Sequence, residues 1–200
     1  MSAERKSSRR ASQQSGVVVR PLLAAGLGFL EVARAEPARV ADLAGWMRRW
    51  VVAPGLMPMP GNVFEPGTGI VPLGTGTSGP FAAALDLRVS RLLTVSRVRV
   101  AVSLGGLLAS PSDDRFLSAA IFTGRVERAS GDRGAAWRAA PKVTDRLSDI
   151  VLGLFAADVL SNREEYDACL CVCDLCGRVA LQPGRLSRTR CEQHEGSIDA

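Results

Sequence analysis

Two close pairs of metal-binding side chains, Cys173-Asp-Leu-Cys176 and Cys191-Glu-Gln-His194, restrict what this chain can fold into more than any other feature. Each pair has the spacing of a tight knuckle whose two ligands point at one ion. The fourteen residues between the pairs are enough for a hairpin that brings the knuckles together. His194 is the sole histidine among 200 residues, and it falls three positions after a cysteine. Gly177 suits the first knuckle, where the backbone turns back under the metal and positive φ is favoured. Pro183-Gly184 has the chemistry of a hairpin tip. The expectation is a tetrahedral zinc site of Cys173, Cys176, Cys191 and His194.

A site with four protein ligands is closed, whereas a catalytic zinc keeps a position for water. The expected role is therefore structural, supplying folding energy to a segment too small to bury its own core. A thioredoxin-like pair at Cys173 and Cys176 would need a strand-to-helix setting that the pattern lacks. Zinc deaminase chemistry needs a His-x-Glu before its Cys-x-x-Cys, and here the histidine comes last. Glu192 and Glu195 flank the second knuckle as solvated charges. In Tyr166 to Cys173 the alternation reads as a strand, with Cys169, Cys171 and Cys173 on one face. Buried structural thiols are the expectation for Cys169 and Cys171, a redox role the alternative.

Five cysteines, an odd number clustered at one end, fit metal ligation in a reducing compartment better than a disulfide framework. The amino terminus imitates an export signal, with basic residues to Arg10, an apolar run from Val17 to Leu30 and Ala33-Arg-Ala35. Arg20 and Pro21 break the run, so a cytoplasmic protein is expected. No stretch holds the ~18 uninterrupted apolar residues of a membrane span. Only Lys6 and Lys142 are lysines, against abundant Arg, Ala, Gly and Val, the bias of a GC-rich bacterial genome.

Residues 1–16 are polar and Ser/Arg-rich, a disordered basic tail by composition. Helices are expected over Pro21–Arg34 and Pro37–Val52, the second with Val40, Leu43, Met47, Trp50 and Val51 at helical spacing. Residues 54–80 hold six of the eleven prolines and read as a long connection. Within them, Gly74-Thr-Gly76-Thr-Ser-Gly79 follows a short apolar run and precedes a helical pattern from Phe81 to Leu93. With Thr94 to Leu104 alternating as a strand, this outlines a βαβ unit able to hold a phosphate. It lacks a Walker lysine and an acidic residue for a ribose, so a surface loop is the preferred reading. Phe116 to Ala129 and Ala135 to Val143 read as strands around a Gly-rich turn, and Thr144 as the cap of a helix through Leu147, Ile150, Val151, Leu154 and Phe155. Asp113, Asp114, Asp145 and Asp149 read as caps and solvated helix residues. No Ser/His/Asp constellation is present.

The expected architecture is α+β: N-terminal helices, a largely antiparallel sheet with a packed helix across residues 17–165, and a zinc ribbon-like hairpin in a module of residues 166–200. The expected function is that of an intracellular, non-enzymatic binding or regulatory protein that engages a protein partner, with nucleic acid second. The alternatives are a small nucleotide-dependent enzyme using the Gly74–Gly79 loop and a thiol redox or zinc sensor.

The formal charge of +5 sits mostly at one end. Residues 1–20 carry five basic side chains against Glu4, a net +4, which leaves +1 for the rest. From Cys173 to Ala200, Arg178, Arg185, Arg188 and Arg190 are balanced by Asp174, Glu192, Glu195 and Asp199. Three thiolates with a divalent ion add one further negative charge. Nucleic-acid binding is thus predicted to depend on residues 1–20 and to be sequence-independent. Deleting residues 1–16 should abolish binding to a labelled duplex in low-salt anisotropy titrations. Binding that survives this truncation but is lost when Arg188 and Arg190 become Ala would assign it to the hairpin.

Overall fold

The computed structural model describes residues 20–74, 80–109, 114–129, 136–182, 189–191 and 193–194. The basic tail, Gly76, Gly79, Asp113, Pro183-Gly184, Arg185, Arg188, Glu192, Glu195 and Asp199 lie outside them. The fold mixes helices with small antiparallel sheets, in keeping with the α+β expectation.

Helix α1, Pro21–Val32, starts on a proline whose missing N–H costs nothing at a first turn. Its buried face meets the central helix α5, Leu147–Ser161, which has buried residues on every side and so lies inside the protein. The two backbones approach closely at Gly26. A Cβ there would lie 2.6 Å from the ring of Phe155, itself fully buried. Helix α2, Val40–Met47, begins three residues later than expected and ends in a π-helical turn over Arg48–Val52, with Ala53 N–H donating to Arg48 O. Trp46 anchors it by donating Nε1–H to Ala25 O at 2.9 Å and by an edge-on contact with Phe29.

The proline-rich connection contains a hairpin, β1 (Asn62–Glu65) and β2 (Gly69–Pro72). Val63, Glu65 and Val71 point inward, and Gly67 at φ 82° permits the turn between the strands.

Helix α3, Pro80–Ala109, overturns the βαβ reading. Thr94 to Leu104 is not a strand but the middle of this 30-residue helix. Leu85, Val89, Leu92, Leu93, Ser96, Val100, Leu104 and Leu107 form its buried stripe. The valines that alternate along the sequence also recur at helical spacing, and packing of that stripe overrides their preference for strands. Among the described residues no parallel strand follows this helix to complete a nucleotide fold. By length and composition α3 is also apolar enough to cross a membrane, with a mean hydropathy of 1.5, although Arg97 and Arg99 interrupt the run. In this structure its buried stripe belongs to the core.

Phe116 to Ala129 is likewise not one strand. It forms helix α4, Arg115–Phe122, which buries Leu117 and Ala120, turns at Gly124 with φ 67°, and continues as β3, Val126–Ala129. β3 pairs with β4, Ala136–Ala139, as expected of a hairpin. Tyr166 to Cys173 is also only partly a strand. Helix α6, Arg163–Cys169, precedes β5, Leu170–Val172, because Tyr166 is drawn into the core. β5 pairs with β6, Val179–Leu181. The three hairpins remain separate two-stranded sheets instead of forming one. Their strands are three or four residues long, and the core between them is filled by α3 and α5.

Three polar clusters join these parts. Glu65 lies buried between β1, α3 and α5. It accepts hydrogen bonds from Ser96 Oγ at 3.0 Å and from the Ser148 N–H in the first turn of α5, with Arg99 Nη1 3.6 Å from its other oxygen. This carboxylate, not Thr144, caps α5; Arg146 occupies the N-cap position without a side-chain cap bond. Arg20 forks onto the buried Asp158 at 2.8 and 2.7 Å and also meets Glu165, while Tyr166 donates its hydroxyl to Asp158 at 2.7 Å. Arg125 bridges Asp145 and Asp149 at 3.1 and 3.0 Å. Burial holds Asp149 above the usual carboxylate range despite these arginines.

Gly26 and Gly45 predict substitutions of opposite sign. Gly26→Ala should destabilise by about 1–3 kcal/mol, because the methyl group enters the Phe155 ring. Gly45 sits inside α2 with open space where a methyl group would stand, and its replacement by Ala should stabilise by roughly 0.5–1 kcal/mol. Urea unfolding of both variants checks the pair.

Candidate metal centre

Cys173, Cys176, Cys191 and His194 converge, with their ligand atoms all within 4.8 Å of one another. The residues named from spacing alone are brought together. Cys173 Sγ lies 3.4 Å and Cys191 Sγ 3.2 Å from His194 Nδ1, and the Cys176 and Cys191 sulfurs are 3.6 Å apart. Tetrahedral zinc with bonds of about 2.3 Å to sulfur and about 2.0–2.1 Å to nitrogen requires ligand separations of roughly 3.6–3.8 Å. Three of the separations fall at or just below that range and all six lie within 4.8 Å, close enough for the four residues to hold one metal ion.

Local backbone bonds hold the first knuckle. Gly177 N–H donates to Cys173 O and Cys173 N–H to Arg178 O, both at 2.8 Å, and Gly177 takes φ 65° as its turn requires. This knuckle lies between β5 and β6, so the described hairpin is closed by the metal loop itself. The second knuckle is joined to the first by Asp174 N–H donating to Thr189 O and by an Arg190–Asp174 ion pair of 3.1 Å. Within it, His194 N–H donates to Cys191 O at 2.8 Å.

Burial pushes the Cys173 thiol up, but backbone N–H groups of Cys176, Cys191 and Leu175 aimed at its sulfur outweigh this and bring it down to about 6. Burial and the neighbouring thiols hold Cys176 above its ordinary value. A cation among these sulfurs would favour the thiolate at each of them. Cys171 donates to Arg190 O at 3.1 Å and is buried, a structural contact that supports the second knuckle from below. Cys169 ends α6 and is half-buried, so the three-thiol strand edge expected here does not form. Of the carboxylates read as caps, Asp114 stands at the N-cap position of α4, and Asp145 accepts the Lys142 N–H at 2.8 Å.

Sequence reasoning missed what the knuckle rests on. α3 runs beneath it, and a Cβ on Gly177 would lie 3.8 Å from that of Ala101. Between the two is a mainly apolar cleft of about 310 Å³, lined by Val98, Ala101 and Val102 of α3 and by Val172, Cys176 and Gly177. Reading Thr94–Leu104 as a strand concealed this; the helical spacing from Val89 to Leu107 was the available signal. No family model, curated protein or solved structure matches the chain.

Protein purified without added metal is predicted to carry one ion per chain by elemental analysis, and Cys191→Ser to lose it. Because the thiols must deprotonate to ligate, apparent affinity should weaken as pH falls. Substoichiometric metal in the native chain would exclude the site.

Proposed function

We propose that this is an intracellular, non-enzymatic binding or regulatory protein in which a structural zinc ion shapes a surface for a protein partner. The donor set supports zinc: three cysteine sulfurs and an imidazole within 4.8 Å of one another suit a soft-to-borderline ion without redox chemistry. The zinc ribbon-like reading is supported by the short β5–β6 hairpin that ends in the first knuckle. With four protein ligands at hand, the ion has no position reserved for substrate.

The observation that carries the partner reading is the apolar cleft between the knuckle and α3. Val98, Val102 and Leu175 at this cleft and knuckle are all more than half exposed, a clustering that marks interaction surfaces. Neither wall exists without the other: the metal loop provides one side and α3 the second. An apolar segment of a partner fits such a trough, and metal removal would dismantle it. Nucleic acid is the second choice, through residues 1–20, since Arg190 of the hairpin is already paired with Asp174. A thiol sensor is favoured by one distance, the 3.6 Å between the Cys176 and Cys191 sulfurs: after loss of the ion, a peroxide or an external disulfide could take their two electrons and leave them joined as a disulfide.

Affinity purification from the native host, with the full chain as bait, tests the reading. A partner should be retained by the native chain and lost with Val98→Asp/Val102→Asp, whose far-UV spectrum and metal content should match the native protein. It should also be lost after chelation. Retention in both cases would rule out the cleft as the docking surface.

A further inference from the structure

Next to the cleft along α3, and sharing Arg97 with it, lies a second, polar pocket of about 270 Å³. Its floor is the loop that follows α1, including Arg34 and Glu36, and its wall is Ser90, Thr94 and Arg97 of α3. Two arginines from two different elements therefore line one small space. The Nε atoms of both Arg34 and Arg97 are buried without a hydrogen-bond partner. A buried donor without an acceptor costs free energy, and two at one pocket ask for a shared acceptor. Among the described residues neither arginine forms an ion pair, in contrast with Arg20, Arg99, Arg125 and Arg190, each of which meets a carboxylate. Glu36 also lines the pocket but is exposed, and it makes no ion pair with either arginine.

The geometry points to this pocket as a binding site for a phosphate group, held between the Arg34 and Arg97 guanidinium groups. Guanidinium forks match tetrahedral oxyanions by paired, charge-assisted hydrogen bonds. The bound anion would satisfy both orphaned Nε–H donors and offset two like charges facing one cavity. Ser90 and Thr94 now donate to the carbonyls of Asp86 and Ser90, each at 2.9 Å. Those carbonyls can also accept the helical N–H four residues on, so either hydroxyl can turn its proton to the ligand. The volume is below the about 300–1,000 Å³ of pockets for drug-sized ligands, which suits inorganic phosphate or a small phosphate monoester and not a dinucleotide. None of the residues that line the pocket is one of the candidate metal ligands.

Calorimetric titration of the full, metal-loaded chain with inorganic phosphate at constant ionic strength tests the assignment. One saturable site per chain is expected, weakened at least about tenfold by Arg34→Gln and by Arg97→Gln. Glu36→Gln, which removes the carboxylate of the pocket, should tighten binding. Phenyl phosphate separates the two sources: stronger binding than phosphate assigns a monoester, weaker binding the free ion. Metal content and far-UV spectra establish that each variant is folded, and should Arg97→Gln fail, Arg34→Gln and Glu36→Gln decide. Absence of a saturable signal overturns the assignment. So does an equal signal from the Arg34→Gln/Arg97→Gln double variant, which would place the phosphate on the basic residues 1–20.

Discussion

The buried carboxylate of Glu65 is the contact on which the packing of this protein depends. A charge taken out of water is tolerated only where polar partners replace its hydration, and here they come from two helices at once. Ser96 arrives from α3, Ser148 from the first turn of α5 and Arg99 from the next turn of α3. The arrangement serves α5 as much as Glu65. A helix buried on all sides has little water to satisfy its first N–H groups, and the positive end of its dipole favours a negative partner. The hairpin of β1 and β2 supplies that partner from 83 residues away in sequence. Removing the carboxylate would leave the start of the central helix unsatisfied and uncouple the hairpin from α3.

A second set of charges performs the same task at the other end of α5. Asp158, also buried, holds Arg20 from the start of α1 and the hydroxyl of Tyr166 from α6. The boundary expected at residues 165 and 166 thus falls inside a helix whose tyrosine is fully enclosed by the body. The hairpin that carries Cys173 and Cys176 leaves the body immediately after this anchored helix and folds back onto α3. Its position is fixed on one side by Tyr166 and on the other by the close approach of Gly177 to Ala101.

The sequence made the ligand set legible because the chemistry is local in each knuckle: two donors at fixed spacing, a glycine at the turn, and one histidine in the whole chain. The helices of residues 21–52 and of Leu147 onward were legible for the same reason, as apolar residues recur every three or four positions. Non-local effects were hidden. Valines from Thr94 to Leu104 satisfy both a strand period and a helical one, and only the core beneath them selects the helix. Glu65 reads as an ordinary polar residue at a turn, since nothing near it in sequence announces the helix it caps. Likewise, the aspartates 145 and 149 are intelligible only once Arg125 is placed between them.

Three successive residues of α3 meet three different surroundings. Ser96 points into the core toward Glu65, Val98 lines the cleft beside the first knuckle, and Arg97 borders both that cleft and the polar pocket next to it. One side chain is therefore common to two cavities on one rigid helix. Thermodynamic reciprocity makes this a linkage: whatever occupies one cavity and changes the conformational freedom of Arg97 alters affinity at the other by the same factor in both directions. With an anion and a partner bound as proposed, this one arginine would couple the two sites with no movement of the helix that carries it.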